Sequence, residues 1–430
     1  MIHSLTEEAV SAFAKASTFA KATADRSAGQ ASYDVRFRVA MHQPGHGRAL
    51  AGMLAAMALA IFTVFSAGSI THGFASYYTA SRLLANGELG PLAYEDRWFG
   101  DRVQQLTARG VREIFTPNPP TMALMALPLA GLDAQPARAI WLIVSLIAFI
   151  AGVAALVKYQ ALRNRDVSIP VLLLMLLSPA VFTNLRIGQG YLIVFGVFTA
   201  TALLLIKGRD RAAGVCLGSL LAIKMSGMPI VLLLIARKRW TALAVAGLTA
   251  AIVVIAITPF IDARMWAIFP SQVSAFVARP SGSVTAYQTT LSLARHLCVA
   301  DPQWNPSPAA NCAPIAFAVP ALLIGAATIV TLLLAMRSRR AEPWLAAGAT
   351  LAVLSLPAAA ESHFVLMAIP LALLRLTVSE FVVIAALLLV PLEFTAERFT
   401  AGWWALLAYP RLYAGWILWA ASVRELRAEC

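Results

Sequence analysis

Runs of about 15 to 22 consecutive apolar residues recur along most of this chain, and short basic clusters separate them. Inside lipid such a run must satisfy its own backbone polar groups, and an α-helix does so. The runs are continuous rather than alternating, which argues against a β-barrel. The pattern predicts an all-α, polytopic integral membrane protein. Composition agrees: 60% of the 430 residues are apolar and 13% are charged, against about 25% charged in a typical soluble domain. The formal charge of +13 does not point to nucleic acid. The basic residues sit in the gaps between apolar runs, as the positive-inside rule expects.

Those gaps set the topology. Lys158, Arg163 and Arg165 form one cluster; Lys207, Arg209 and Arg211 the next; then Arg237, Lys238 and Arg239. Arg337, Arg339 and Arg340 follow, and Arg424 and Arg427 close the chain. All are cytoplasmic if the spans fall at 50–70, 137–157, 168–184, 190–206, 240–260, 314–335, 343–358, 364–377, 379–395 and 402–421, with a hairpin of two short pieces at 212–223 and 226–236. That gives about twelve crossings and two long extracytoplasmic loops, 71–136 and 261–313. Residues 1–49 are polar, Ala-rich and mixed in charge, and read as a poorly ordered cytoplasmic tail in which Met41 offers a second start. The membrane domain is then 50–422, with a short cytoplasmic tail at 423–430. The stretch "NPPTMALMALPLAGL" at 118–132 is too short to cross and reads as a re-entrant or surface half-helix. The expected location is a bacterial cytoplasmic membrane.

Several polar groups fall on the extracytoplasmic side of this scheme. "SITHGFASYYTASRLLANG" puts His72 beside Gly73, then Phe74, Tyr77 and Tyr78 on one helical stripe, with Arg82 a turn beyond. "YEDRWFGDRVQQLTARGVREIFTPNPPT" is rich in arginine and aromatic residues. It reads either as a phosphate-binding loop or as a solvated amphipathic helix. Arg186 and Gln189 sit at a helix end, in a tight Gly-X-Gly turn, in "NLRIGQGYLIVFG". Lys224 lies between two apolar half-segments, where an ionisable group needs a partner or a polar cavity. His363 stands in "AAAESHFVLM" at a helix end, where it could exchange a proton. Cys298 and Cys312 share the polar loop "HLCVADPQWNPSPAANCAP", and a disulfide is expected if that loop faces an oxidising compartment. No cluster of His, Cys and Asp has metal-ligand spacing. No tightly bound metal or other cofactor is expected, although a loosely held divalent cation at a phosphate stays open.

In this order the segments "FASYYTASRLLANG", "TPNPPTMALMALPLAGL", "RIGQGYLIVFGVFTATALLL", "AAGVCLGSLLAIKMSGMPIVLLLIARKRW", "YQTTLSLARHL" and "SLPAAAESHFVLMAIPLALL" resemble glycosyltransferase family 87 of the GT-C superfamily, over roughly residues 50 to 400. The resemblance implies a GT-C-like fold and an inverting transferase. Its donor would be a polyprenyl-phosphate sugar, often mannose, and its acceptor a lipid, a glycan or a protein. It implies that Arg186, Gln189, Lys224 and His363 lie near the lipid phosphate, with Tyr77, Tyr78 and Asn118 on the same face. The family usually carries an Asp where this chain has Gly73. Three explanations stay open. His72 replaces the missing base; an acid of the first loop does (Glu95, Asp96 or Asp101, with Asp96 preferred); or the protein binds or carries lipid-linked sugars without transferring them.

Overall fold

The computed structural model describes residues 45–279, 283–390 and 402–429. Most of the expected tail, Met41 and Cys430 lie outside the described residues. Seventeen α-helices are present among the described residues: α1 Gly45–Ala67, α2 His72–Ala85, α3 Asp96–Leu106, α4 Ala134–Ala161, α5 Ile169–Leu177, α6 Pro179–Ile187, α7 Tyr191–Ile206, α8 Asp210–Lys224, α9 Met228–Ala236, α10 Trp240–Ile257, α11 Arg264–Ala278, α12 Thr290–Cys298, α13 Ala313–Arg337, α14 Glu342–Leu354, α15 Ala368–Leu373, α16 Val378–Leu389 and α17 Pro410–Arg427. The described residues form no β-sheet, only two isolated bridges. Among the described residues, five helical stretches are long and apolar enough to cross a membrane: His46–Ala67, Ala134–Ala161, Ile169–Ile187, Trp240–Phe260 and Ala313–Arg337. Shorter apolar helices accompany them. The chain is an all-α polytopic membrane protein.

Burial follows the same logic. In α10 only Ala242, Ala246 and Ile257 are buried, and Leu248, Ile252 and Ile255 lie exposed. A helix apolar all round with one small-residue face turned inward is suited to lipid on its other side. That inward face receives α8. A Cβ on Gly214 would stand 2.6 Å from the Ala242 carbonyl oxygen, and one on Gly218 would stand 2.4 Å from that of Ala246. The two glycines let the backbones touch and thereby fix where α8 ends.

The expected span at 168–184 is two helices. Pro179 starts α6, and Ser178 before it is extended, the conformation to which a following proline confines a residue. The expected half-helix at 118–132 is instead a pair of 3₁₀ turns, Pro120–Leu124 and Leu127–Leu129, because its prolines remove backbone donors. Pro410 opens α17, which runs on to Arg427. The expected tail from 423 is therefore largely helical.

The basic clusters meet at one end of the bundle. Arg163 pairs with Glu342 at 2.6 Å, Arg340 with Glu429 at 3.3 Å, and Arg239 with Asp210. Arg237 donates to the carbonyls of Ala335 and Ser338, both at 2.8 Å. Helix α8 starts at Asp210 in this region and ends at Lys224. At 1.5 Å per residue, its last residue lies about 22 Å from that end.

Candidate active site

The polar groups at the far end of α8 come from four parts of the chain. Lys224 closes the helix, and Met225 after it takes a left-handed conformation (φ 53°). The lysine ammonium donates to Asn118 Oδ1 at 2.9 Å. It also lies over two aromatic faces, 4.8 Å from the Tyr77 ring centroid and 5.5 Å from that of Tyr191. Cation–π contact of this kind stabilises a cation that has lost water.

Tyr77 comes from α2, whose entry is pinned by Thr71 Oγ1 donating to the Arg186 carbonyl at 3.1 Å. Its hydroxyl donates to Gln189 Oε1 at 2.8 Å, and its ring stacks on Trp141 at 5.2 Å. Gln189 sits in the Gly-Gln-Gly turn between α6 and α7. Gly188 there is left-handed (φ 68°), and a Cβ on it would meet Arg138 Nη1 at 1.9 Å, so only glycine fits. Trp141 Nε1 donates to the Gly188 carbonyl at 2.9 Å and locks the turn. The His363 ring lies 3.9 Å from the Tyr191 ring, centroid to centroid. Tyr77 and Tyr191 are buried, whereas Asn118, Gln189, Lys224 and His363 are half-buried. The arrangement is an aromatic floor edged by donors and one cation.

Five of the expected residues thus converge: Tyr77, Asn118, Gln189, Lys224 and His363. Others do not. The Tyr78 hydroxyl donates to the Leu132 carbonyl at 2.7 Å and its ring stacks on Phe74, so it braces the 3₁₀ turns. Asp96 caps no site group; its carboxylate is paired with Arg279 at 2.7 Å. His72 and Arg186 are exposed neighbours beside the cluster. Surrounding protein, then the positive charges of Arg186 and Arg138, push the His72 pKa below its ordinary value. Cys298 and Cys312 are joined in a disulfide.

Gly73 is explained by packing. A Cβ there would stand 2.5 Å from the Ile187 carbonyl oxygen and 3.1 Å from Gln189 Nε2. Helix α2 presses its backbone onto the turn that carries Gln189, and no side chain fits between them.

Three residues escaped the sequence reading. Tyr191 is half of the aromatic floor. Arg138 is fully buried and donates to the Arg186 carbonyl at 2.7 Å. Glu113 is half-buried at the start of the strap that ends in Asn118, within electrostatic range of Lys224, Tyr77 and Tyr287. Burial raises its pKa to about 7. Among the described residues, no three His, Cys, Asp or Glu side chains gather as a metal-ligand set.

No curated protein and no solved structure matches the chain. Residues 115–357 match glycosyltransferase family 87. The match contains Asn118, Gln189, Tyr191 and Lys224, and leaves α2, Glu113 and His363 outside it. Since it spans more than half of the chain, and the chain is a bundle of apolar helices, the protein belongs to glycosyltransferase family 87 and is a membrane glycosyltransferase.

Proposed function

We propose that the protein moves a sugar, mannose or another hexose or pentose, from a polyprenyl-phosphate donor to a lipid, glycan or protein acceptor, with inversion. The observation that carries this reading is Lys224 held by Asn118 over Tyr77 and Tyr191, with Gln189 and His363 beside it. In the reaction the acceptor oxygen bonds to the anomeric carbon as the bond from that carbon to the phosphate oxygen breaks. The electron pair leaves with polyprenyl phosphate. Negative charge therefore grows on the phosphate, and a fixed ammonium in a partly dehydrated setting stabilises it more than water would. Gln189 offers an amide donor, and the aromatic floor suits a sugar face.

We place this chemistry on the extracytoplasmic side of a bacterial cytoplasmic membrane. The basic clusters gather at the opposite end of α8, as the positive-inside rule asks of a cytoplasmic end, and the Cys298–Cys312 bridge fits an oxidising compartment.

The test is transfer by purified protein in liposomes. Labelled polyprenyl-phosphate mannose and, separately, glucose are supplied with a crude lipid and glycan extract. Labelled product supports the reading. Donor binding with no product from either sugar would favour a carrier of lipid-linked sugars instead.

A further inference from the structure

We propose that Glu113 is the general base of this transferase, taking the proton of the acceptor hydroxyl as its oxygen attacks the anomeric carbon. The inference rests on the transfer reading above.

The first argument is placement. Residues 113–118 form a strap tied down at several points. Ser76 Oγ of α2 donates to the Ile114 carbonyl at 3.2 Å. Tyr94 donates to the Asn118 carbonyl at 3.1 Å. Asn118 Nδ2 donates to the Phe115 carbonyl at 2.8 Å while its Oδ1 accepts from Lys224. One end of the strap thus holds the cation assigned to the leaving phosphate, and the other end carries the carboxylate. A glycosyl transfer by inversion needs both groups at one site but on opposite sides of the anomeric carbon.

The second argument is elimination. Gly73, where the family resemblance leads one to expect an acid, has no room for a side chain. Other carboxylates near this end are committed. Glu88 pairs with Arg102, Asp96 with Arg279, Asp262 with Arg264, and Glu361 with Arg411. Asp301 accepts from the backbone of its own turn. Glu95, Asp101 and Asp133 are exposed. Glu113 is half-buried, forms no ion pair among the described residues, and accepts from the Ile114 amide at 3.1 Å. One oxygen is thereby oriented and the other left for a substrate.

The third is reactivity. A general base works best when its pKa lies near the working pH. Burial lifts Glu113 to about 7, against the pull of the Ile114 amide and of Lys224. The groups facing it are Lys224 from α8, Tyr77 from α2 and Tyr287 from the segment before α12. Helix α3 meets the strap with Gly100 and the Phe99 ring, neither of which titrates. The balance of the step is simple. The hydroxyl proton goes to Glu113, the acceptor oxygen bonds to the anomeric carbon, and the bond to phosphate breaks. Glu113 then returns the proton to solvent.

The test compares wild type, Glu113→Gln and Glu113→Asp, each full-length in liposomes with labelled polyprenyl-phosphate mannose or glucose and the same acceptor extract. Transfer by Glu113→Gln should fall by about 10²- to 10⁴-fold, with donor binding within about twofold. Glu113→Asp, which keeps a carboxylate, should recover part of the rate. Wild-type rate should climb with pH through an apparent pKa of about 7. An active wild type with Glu113→Gln within tenfold of it, or with no acid limb in its pH profile, would overturn the base alone. A wild type that transfers neither sugar would overturn the transfer reading and the base with it.

Discussion

Lys224 and Asn118, 106 positions apart in the chain, share one hydrogen bond of 2.9 Å, and that contact ties the end of α8 to the strap before the 3₁₀ turns. The ammonium has no carboxylate within ion-pair distance among the described residues. Its charge is met by an amide oxygen and two aromatic faces. A cation so placed keeps its charge available to a phosphate, which is what the proposed reaction demands.

Removing that charge should therefore weaken donor binding. A hydrogen bond to a charged group is worth about 1.5–3 kcal/mol, so Lys224→Met should raise the donor Kd by about 10- to 100-fold. Asn118→Ala should act in the same direction with a smaller effect. The double variant should fall short of the sum, because both changes break one contact. Fluorescence titration with a polyprenyl-phosphate sugar reads all three.

Placing at position 73 the acid that the family resemblance leads one to expect should fail. Gly73→Asp must displace the Ile187 backbone, which a Cβ would approach to 2.5 Å. Overpacking of this kind costs about 1–3 kcal/mol. A lower unfolding temperature in detergent, without a gain in transfer, is the expected result.

Glu113 should lower stability at the pH where it works. Its folded pKa is raised to about 7 from an ordinary value of 4.5. The folded state thus holds the proton more tightly than the unfolded chain. The favourable contribution is complete below about pH 4.5 and is lost as pH rises through about 7. Glu113→Gln should match wild type near pH 4.5 and exceed it at pH 8, by up to about 3 kcal/mol. Unfolding temperatures at the two pH values give the comparison, and a variant more stable but inactive would separate function from folding.

The proposed sidedness predicts opposite labelling at the two ends of the bundle. In a background with Cys216 and Cys430 replaced, Arg109→Cys should react with a membrane-impermeant maleimide added to intact cells. Lys207→Cys, at the basic end, should react only after the membrane is opened. Both positions are exposed, so reagent access depends on the side alone.

Much of this was legible in the sequence, for physical reasons that differ from residue to residue. Apolar runs gave α4 and α10 nearly to their ends, because helix length and lipid thickness constrain each other. Lys224 stood out because a lysine between apolar half-segments needs a purpose. Glu113 did not stand out. It lies in "TARGVREIF", which reads as an ordinary charged loop, and its burial comes from helices remote in the chain. Asp96 looked better until its partner appeared, since Arg279 is 183 positions away. Tyr78 shares the stripe of Tyr77 but turns to the Leu132 carbonyl, a choice that only the packed 3₁₀ turns decide. The Ser178–Pro179 break is written in the proline, which hydropathy alone does not register.

The most direct measurement is transfer of labelled mannose or glucose from its polyprenyl phosphate by wild-type protein and Lys224→Met side by side in liposomes. The account predicts labelled acceptor with wild type and a loss of at least tenfold at low donor concentration with the variant. Equal transfer by the two proteins would contradict the assignment of Lys224 to the leaving phosphate, and with it the proposed site.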